Sequence, residues 1–333
     1  MNNQIYPCIT GVAAWLPPDR LTNELLASMV DTSHEWIASR TGIEERRILK
    51  DKDLGTSYMA SHAVMNLLEK KGMEADEVEV IICATITPDM MFPNTANLIC
   101  DRIGARKALA FDMLSACAGF LYALETGCNY IRSGRYKKVI VVGADKMSSI
   151  TDYEDRNSCI LFGDAAAAVL LEPSPDEDGI IDTILRCDPV GKDLIYLKAG
   201  GSARPASLET VQNKEHFFYQ DGKRVFKYAV QGMAAVSQEM MQKHHLTNED
   251  IDYLIPHQAN LRIIEATAQM TNIPLEKVTI NIQKYGNTTA ATIPLCIWEW
   301  ENDFRKGQNI LLAAFGAGFV WGATYLRWAY NPD

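Results

Sequence analysis

The sequence lacks a C-x-x-C pair and any cluster of cysteine with histidine, which argues against zinc centres and dithiol redox motifs, and no metal site is expected. Positive charge is scarce. No run of five basic residues occurs, and 32 Lys and Arg face 42 Asp and Glu, a net charge of −10. Nucleic acid and anionic membrane are bound through excess cations, so both are excluded as expected partners. At Met1–Tyr6 no charged segment leads into a long apolar stretch, and no signal peptide is expected. The longest apolar runs, such as Ala313–Gly322, fall short of the roughly 20 residues that span a bilayer. What remains is a chain of 333 residues, 47% hydrophobic and 22% charged. It is too apolar for disorder and reads as a soluble cytoplasmic protein with one large core or two ordinary domains. Its eight cysteines are scattered among apolar residues. Most should therefore be buried hydrophobes, leaving one or two for chemistry.

An internal repeat is present. Asp76–Ile82 resembles Glu249–Ile255 at an offset of 249 − 76 = 173 residues. Ser133-Gly134 leading into Val139–Ala144 resembles Lys306-Gly307 leading into Leu312–Ala317, again with 307 − 134 = 173. The intervening segments Gly119–Gly134 and Thr292–Gly307 both read as one helix of equal length. The turn-rich stretch Glu172–Gly179 marks the midpoint. Two halves are expected, 1–173 and 174–333, with Cys117 on the first and His257 and Asn287 on the second. Helical periodicity alternates with short continuous apolar strands such as Val80–Ala84, Val139–Val142 and Ala168–Leu171. That pattern predicts a layered α/β fold with parallel strands covered on both faces. Ligands should then bind where equivalent strand-to-helix loops of the two halves converge.

Cys117 lies where an apolar strand gives way to a helix, flanked by Ser115, Ala116, Ala118 and Gly119. Small neighbours leave room at the sulfur, and the positive end of the helix dipole is expected to lower the thiol pKa. The plainer reading, a small core residue, fits Cys83, Cys128 and Cys296 better. His257 follows Tyr253–Pro256, which puts it at the carboxyl end of a strand facing a loop crevice, whereas His244-His245 suits a polar helix end. Asn287, in Tyr285–Thr292, alone could be an ordinary turn or N-cap. The offset changes the weighting. It overlays the Asn287 loop on the Cys117 loop, Gly316–Gly318 on the Gly143 strand end, and His257 on the strand end at Ala84. A Cys-His-Asn set also suits a papain-type hydrolase, but Asp112–Ala118 lacks the glutamine before the cysteine and the aromatic after it that such an enzyme shows.

Ser115-Ala116-Cys117-Ala118-Gly119-Phe120, Pro256-His257-Gln258-Ala259-Asn260, Gly286-Asn287-Thr288-Thr289-Ala290-Ala291 and Phe315–Gly322 together resemble the β-ketoacyl-(acyl carrier protein) synthase III family. Asp31–Ile37, Arg40–Ile43 and Phe162-Gly163-Asp164 match as well, in order, from about residue 6 to 329. The resemblance implies a thiolase-like fold, its duplicated α/β halves forming five αβαβα layers. Cys-His-Asn separates this branch from elongating synthases, which use Cys-His-His, and from thiolases with a second late cysteine. The implied reaction begins with transfer of an acyl group from a coenzyme A thioester to Cys117. Malonyl-acyl carrier protein then loses carbon dioxide, and the resulting enolate attacks the acyl-cysteine, starting fatty acid synthesis without a further cofactor.

The resemblance also assigns roles to other residues. His257 and Asn287 donate to the enolate oxygen, and the backbone N–H groups of Cys117 and Ala317 form the oxyanion hole. Coenzyme A is contacted by Thr32, Trp36, Arg40, Arg156 and Asn260, with adenine stacked between Trp36 and Arg156. Without the family, Trp36 and Arg40 read as a surface tryptophan over an arginine stem, four residues apart on one helix face. Arg262 and Lys227 form the patch for the acidic carrier. Phe92 reaches across a homodimer into the partner's acyl pocket and Phe162 lines the near wall, although both could equally be core aromatics. There are departures from the family pattern. Ala268-Gln269-Met270 lacks basic residues that some relatives carry, alanines replace glycines at 165–168, and Leu114-Ser115 replaces a smaller pair. Two alternatives share the triad: a specialised condensing enzyme of secondary metabolism, of quinolone or alkylresorcinol type, and a non-condensing acyltransferase.

Overall fold

A computed structural model describes residues 5–174 and 176–331. Met1–Gln4 of the start, Pro175 of the midpoint turn and the closing Pro332-Asp333 lie outside the described residues. The first half runs β1 (Pro7–Trp15), β2 (Asp19–Thr22), α1 (Asn23–Ala27), α2 (His34–Thr41), β3 (Glu45–Ile48), α3 (Thr56–Lys71), β4 (Val80–Ala84), α4 (Thr95–Ile103), β5 (Leu109–Met113), α5 (Gly119–Arg132), β6 (Val139–Asp145) and β7 (Ala165–Pro173). The second runs β8 (Gly179–Cys187), β9 (Ile195–Leu197), α6 (Leu208–Gln212), β10 (Phe218–Gln220), α7 (Gly222–Lys243), β11 (Tyr253–Pro256), α8 (Leu261–Thr271), α9 (Ile282–Tyr285), α10 (Thr292–Trp300), β12 (Asn309–Gly316) and β13 (Val320–Arg327).

The apolar runs form two sheets with the same plan. One has the order β1-β7-β6-β4-β5, and the other, read from β8, is β8-β13-β12-β11. The counterpart of β5 is reduced to a single parallel bridge between Leu254 and Val278. Helix α3 packs on the outer face of the first sheet, and α7 on the outer face of the second. Helices α5 and α10 lie between the sheets and touch both. Their apolar faces share one core, with Phe120, Leu124, Ile293 and Ile297 among the buried residues. This is the five-layer thiolase arrangement of duplicated halves.

Two local expectations are corrected. The sheets are mixed rather than parallel: β4 runs parallel to β5 and β6, and β11 to β12, but β7 is antiparallel to both β1 and β6, and β13 to both β12 and β8. A continuous apolar strand reports that both faces are covered, and a middle layer covers them whatever the strand direction. The two inner helices are also unequal. α5 has 14 residues and α10 has 9, because Asp303 and Phe304 both turn back to the Trp300 carbonyl. That turn drives Phe304 into full burial against Tyr253 and Trp328.

Candidate active site

The offset of 173 is realised most closely at the site itself. A single 3-10 turn, Ala116–Ala118, leads into α5 at Gly119, and its counterpart Thr289–Ala291 leads into α10 at Thr292. The two turns pack against each other. Cys117 thereby sits at a helix start, with Ala116 at φ 43° and its counterpart Thr289 at φ 51°, both in the left-handed region that non-glycine residues seldom adopt. One cavity of about 950 Å³ is lined by Cys117, His257 and Asn287 together with Ala317.

The expected lowering of the thiol pKa is not found. Burial pushes the Cys117 thiol up to about 12, the Asp145 carboxylate acts in the same direction, and only a backbone hydrogen bond opposes them. A helix terminus contributes roughly 0.3–1 kcal/mol, less than the cost of holding a thiolate away from water. Asp145 ends strand β6, fully buried, and anchors the loops around the sulfur. One of its oxygens accepts from Thr85 Oγ1 and Thr87 Oγ1 at 2.9 Å and from the Ile86 and Thr87 amides at 2.8 and 3.1 Å. The other accepts from the Thr289 hydroxyl and the Ala290 amide. Burial raises its pKa, and these donors work against the rise.

His257 follows β11 and is 1% exposed, its amide donating to the Ala313 carbonyl at 2.7 Å. Its Nδ1 lies 2.8 Å from Thr292 Oγ1. Burial alone pushes the imidazole down to about 3, so the ring is neutral at physiological pH. Asn287 is held by its backbone, its amide donating to the Leu161 carbonyl at 2.9 Å and its carbonyl accepting from Gly163 at 3.1 Å. Its Oδ1 accepts from the Thr289 amide at 2.9 Å, which leaves the NH₂ end for the cavity. Gly316 ends β12 against the nucleophile: a Cβ there would stand 2.7 Å from the Cys117 amide nitrogen. Only glycine permits that approach, which brings Ala317 into the cavity wall beside Cys117.

The cavity mouth collects Arg40, Asn260 and Arg262. Trp36 and Arg40 share α2, with the guanidinium 4.7 Å from the ring centroid, and Arg156 lies 4.6 Å from the same ring. Trp36 and Arg156 are thus in direct contact, with no slot between them. Thr32 Oγ1 is buried without a hydrogen-bond partner. Asn260 caps α8 by accepting from the Arg262 amide at 2.9 Å and donates to the Arg40 carbonyl at 3.0 Å, which joins α8 to α2. Lys227 on α7 and Arg262 on α8 are both exposed, on helices that pack together. Phe162 is buried in the cavity wall, edge-on to Phe218 at 4.7 Å. Phe92 is 84% exposed and is not among the residues lining the cavity. His244 pairs with Asp182 at 2.7 Å, away from the cavity lining, in keeping with its structural reading.

Sequence reasoning missed Asp145, Thr289 and Thr292. The lone acid closing the apolar run Val139–Ala144 was the available signal for Asp145. The two threonines resemble ordinary N-cap residues, and nothing in the sequence distinguishes them from such residues. Four further cavity residues, Ile195, Phe218, Tyr219 and Gln220, come from the strap β9–α6–β10, which no motif marks.

Comparison with known proteins finds that residues 111–189 match the family description 3-oxoacyl-[acyl-carrier-protein (ACP)] synthase III and residues 241–328 its C-terminal description. β-Ketoacyl-(acyl-carrier-protein) synthase III 2 of Bacteroides thetaiotaomicron is 51% identical over 328 residues, covering 98% of both chains. The crystal structure of 3-oxoacyl-(acyl-carrier-protein) synthase III from Aquifex aeolicus superposes with a TM-score of 0.89 at 41% identity, over 97% of this chain and 100% of that one. A priming β-ketosynthase from the R1128 polyketide pathway superposes with a TM-score of 0.90 at 28% identity, over 100% and 99%.

Proposed function

The chain belongs to the β-ketoacyl-(acyl carrier protein) synthase III family, condensing acyltransferases that initiate fatty acid biosynthesis, and from that premise we propose that Cys117, His257 and Asn287 carry the reaction in one cavity. The Cys117 sulfur attacks the carbonyl of an acyl-coenzyme A starter, with the developing oxyanion on the Cys117 and Ala317 amides, and coenzyme A leaves as the thiol. Malonyl-acyl carrier protein then loses carbon dioxide. The electron pair released passes to the thioester oxygen, which accepts hydrogen bonds from His257 Nε2–H and the Asn287 NH₂ group. The enolate carbon attacks the acyl carbonyl, and the Cys117 thiolate is expelled and reprotonated. The carrying observation is the convergence of these three side chains, with the Gly316 approach to the nucleophile's amide, on a single cavity. A neutral histidine suits the second step, because a cation would bind the malonyl carboxylate in the ground state and oppose its loss.

Thr32, Trp36, Arg40, Arg156 and Asn260 are assigned to coenzyme A, which requires Arg156 to lift from Trp36 as adenine enters. Arg262 and Lys227 receive the acidic carrier, Phe162 lines the acyl branch, and Phe92 serves the partner of a homodimer. The substrates are coenzyme A and carrier thioesters, which agrees with a cytoplasmic location and needs no further cofactor. The boundary between the halves is placed at 173/174, between β7 and β8. Among the described residues no helix is long and apolar enough to cross a membrane.

The test is intact mass after incubation with a panel of acyl-coenzyme A thioesters, followed by malonyl carrier protein. An acyl adduct on Cys117 that disappears as a linear β-ketoacyl carrier protein forms supports the initiating role and identifies the starter. The 28% identity to a polyketide priming enzyme keeps a specialised role as the second reading. A stable adduct without release of carbon dioxide would favour a non-condensing acyltransferase. Cys117→Ser should show no adduct, and full turnover in that variant would overturn the nucleophile assignment.

A further inference from the structure

We propose that Thr292 is a positioning residue that holds the His257 ring proton on Nε2, making the cavity-facing edge of the imidazole a hydrogen-bond donor. The proposal rests on the reading of His257 as donor to the enolate oxygen. A neutral imidazole carries one proton on either nitrogen, and its other hydrogen bond decides which. Among the described residues the His257 ring has one hydrogen-bond partner, Thr292 Oγ1, 2.8 Å from Nδ1. The hydroxyl has one proton and two acceptors in reach, Nδ1 and the Thr289 carbonyl at 3.1 Å.

These acceptors are not equivalent. The Thr289 carbonyl already receives the Thr292 backbone N–H in the 3-10 turn, whereas Nδ1, buried with the ring, has only the hydroxyl. The hydroxyl also stands closer to Nδ1, at 2.8 Å, than to that already paired carbonyl, at 3.1 Å, so its proton goes to Nδ1. The ring proton then lies on Nε2. In the opposite arrangement Nδ1–H would donate to the hydroxyl and the hydroxyl to the carbonyl, and Nε2 would offer a lone pair to an enolate oxygen that needs a donor. The Asn287 amide is oriented by the same few residues, through the Thr289 amide on its Oδ1. One 3-10 turn and the first residue of α10 therefore set both donors.

The experiment compares Thr292→Val and Thr292→Ser in the full-length enzyme. It measures acylation of Cys117, condensation with malonyl carrier protein, and ¹⁵N shifts of the His257 ring, assigned against His257→Ala. The wild-type spectrum should show Nε2–H. Thr292→Val should still acquire the acyl group and lose about tenfold to a hundredfold in condensation kcat with little change in KM for the carrier. Its ring proton should move toward Nδ1, and Thr292→Ser should restore both readouts. A wild-type spectrum with the proton on Nδ1 overturns the proposal even if the valine variant does not fold. So does a valine variant that condenses at the wild-type rate with an unchanged spectrum. A valine variant with a moved proton and full condensation supports the tautomer assignment but removes His257 from the donor role. Slow condensation in His257→Ala, with no effect of Thr292→Val on rate or spectrum, leaves the donor role standing and removes Thr292.

Discussion

At the scale of single residues the site separates two demands on one cavity. The nucleophile needs a thiolate, yet burial and Asp145 hold the Cys117 thiol near 12. The donors must be uncharged, and burial meets that need by holding His257 near 3. The first effect predicts slow alkylation of Cys117 by iodoacetamide at neutral pH. The rate should rise about tenfold per pH unit from 7 to 10 without a plateau, because the reactive fraction is still far from saturation. Peptide mass spectrometry of the Cys117 fragment measures it, and a plateau between pH 6 and 8 would restore the lowering expected from the helix dipole. For the donors, His257→Ala and Asn287→Ala should keep Cys117 acylation. Each should lose condensation by about two to three orders of magnitude, the effect typical of removing one preorganised donor. Wild-type condensation in both variants would end their role in decarboxylation.

Elements decide where those residues stand, and here the repeat was legible before the structure. Two 3-10 turns a fixed offset apart, Ala116–Ala118 and Thr289–Ala291, start the two inner helices as the overlay expected. Strand direction was not legible, because the apolar run Ala168–Leu171 reports cover on both faces and is silent on its neighbours. Nor was Asp145 as an anchor, since its partners at Thr85, Thr87 and Thr289 are distant in sequence and meet only through the sheet. The strap β9–α6–β10 was not legible either, since no motif marks it. It is pinned by buried Glu215, which accepts from Arg204 and from Lys198, and by Phe218, whose amide donates to the Ile150 carbonyl at 2.8 Å. Arg204, then Lys198, lowers the Glu215 carboxyl from 4.5 to about 2. A depressed acid stabilises the fold fully above its unfolded value and loses that contribution as pH falls through the folded one. Protection from hydrogen exchange across 195–220, taken relative to the intrinsic rate at each pH, should therefore be high at pH 7 and fall selectively as pH drops from about 4.5 toward 2. Glu215→Gln should show the reduced protection already at pH 7. Uniform loosening of the whole chain over that range would mean the strap has no separate anchor.

For the whole molecule, the open question is what covers β5. It is the edge strand of the five-stranded sheet, and an edge with unpaired backbone groups is a ready pairing surface. Leu114 directly follows β5, and Met90, Met91 and Phe92 precede α4, which packs on it; these four are exposed by 76, 49, 78 and 84%, more apolar surface than a lone acidic chain has reason to keep in water. A second copy docked about a two-fold axis would pair β5 with its equivalent and carry each Phe92 toward the other subunit's cavity. Sedimentation should then report a species of twice 37.1 kDa. Phe92→Ala should stay paired but lose condensation or change its preferred starter, since the ring would be missing from the partner's pocket. Complementation tests whether that ring acts in trans. Mixed with inactive Cys117→Ser under conditions that exchange subunits, Phe92→Ala should recover about a quarter of wild-type activity per site, because half the dimers are mixed and each holds one site with both an intact Cys117 and an intact partner Phe92. Activity that never exceeds that of the Phe92→Ala subunits alone would confine the ring to its own subunit or remove it from the pocket.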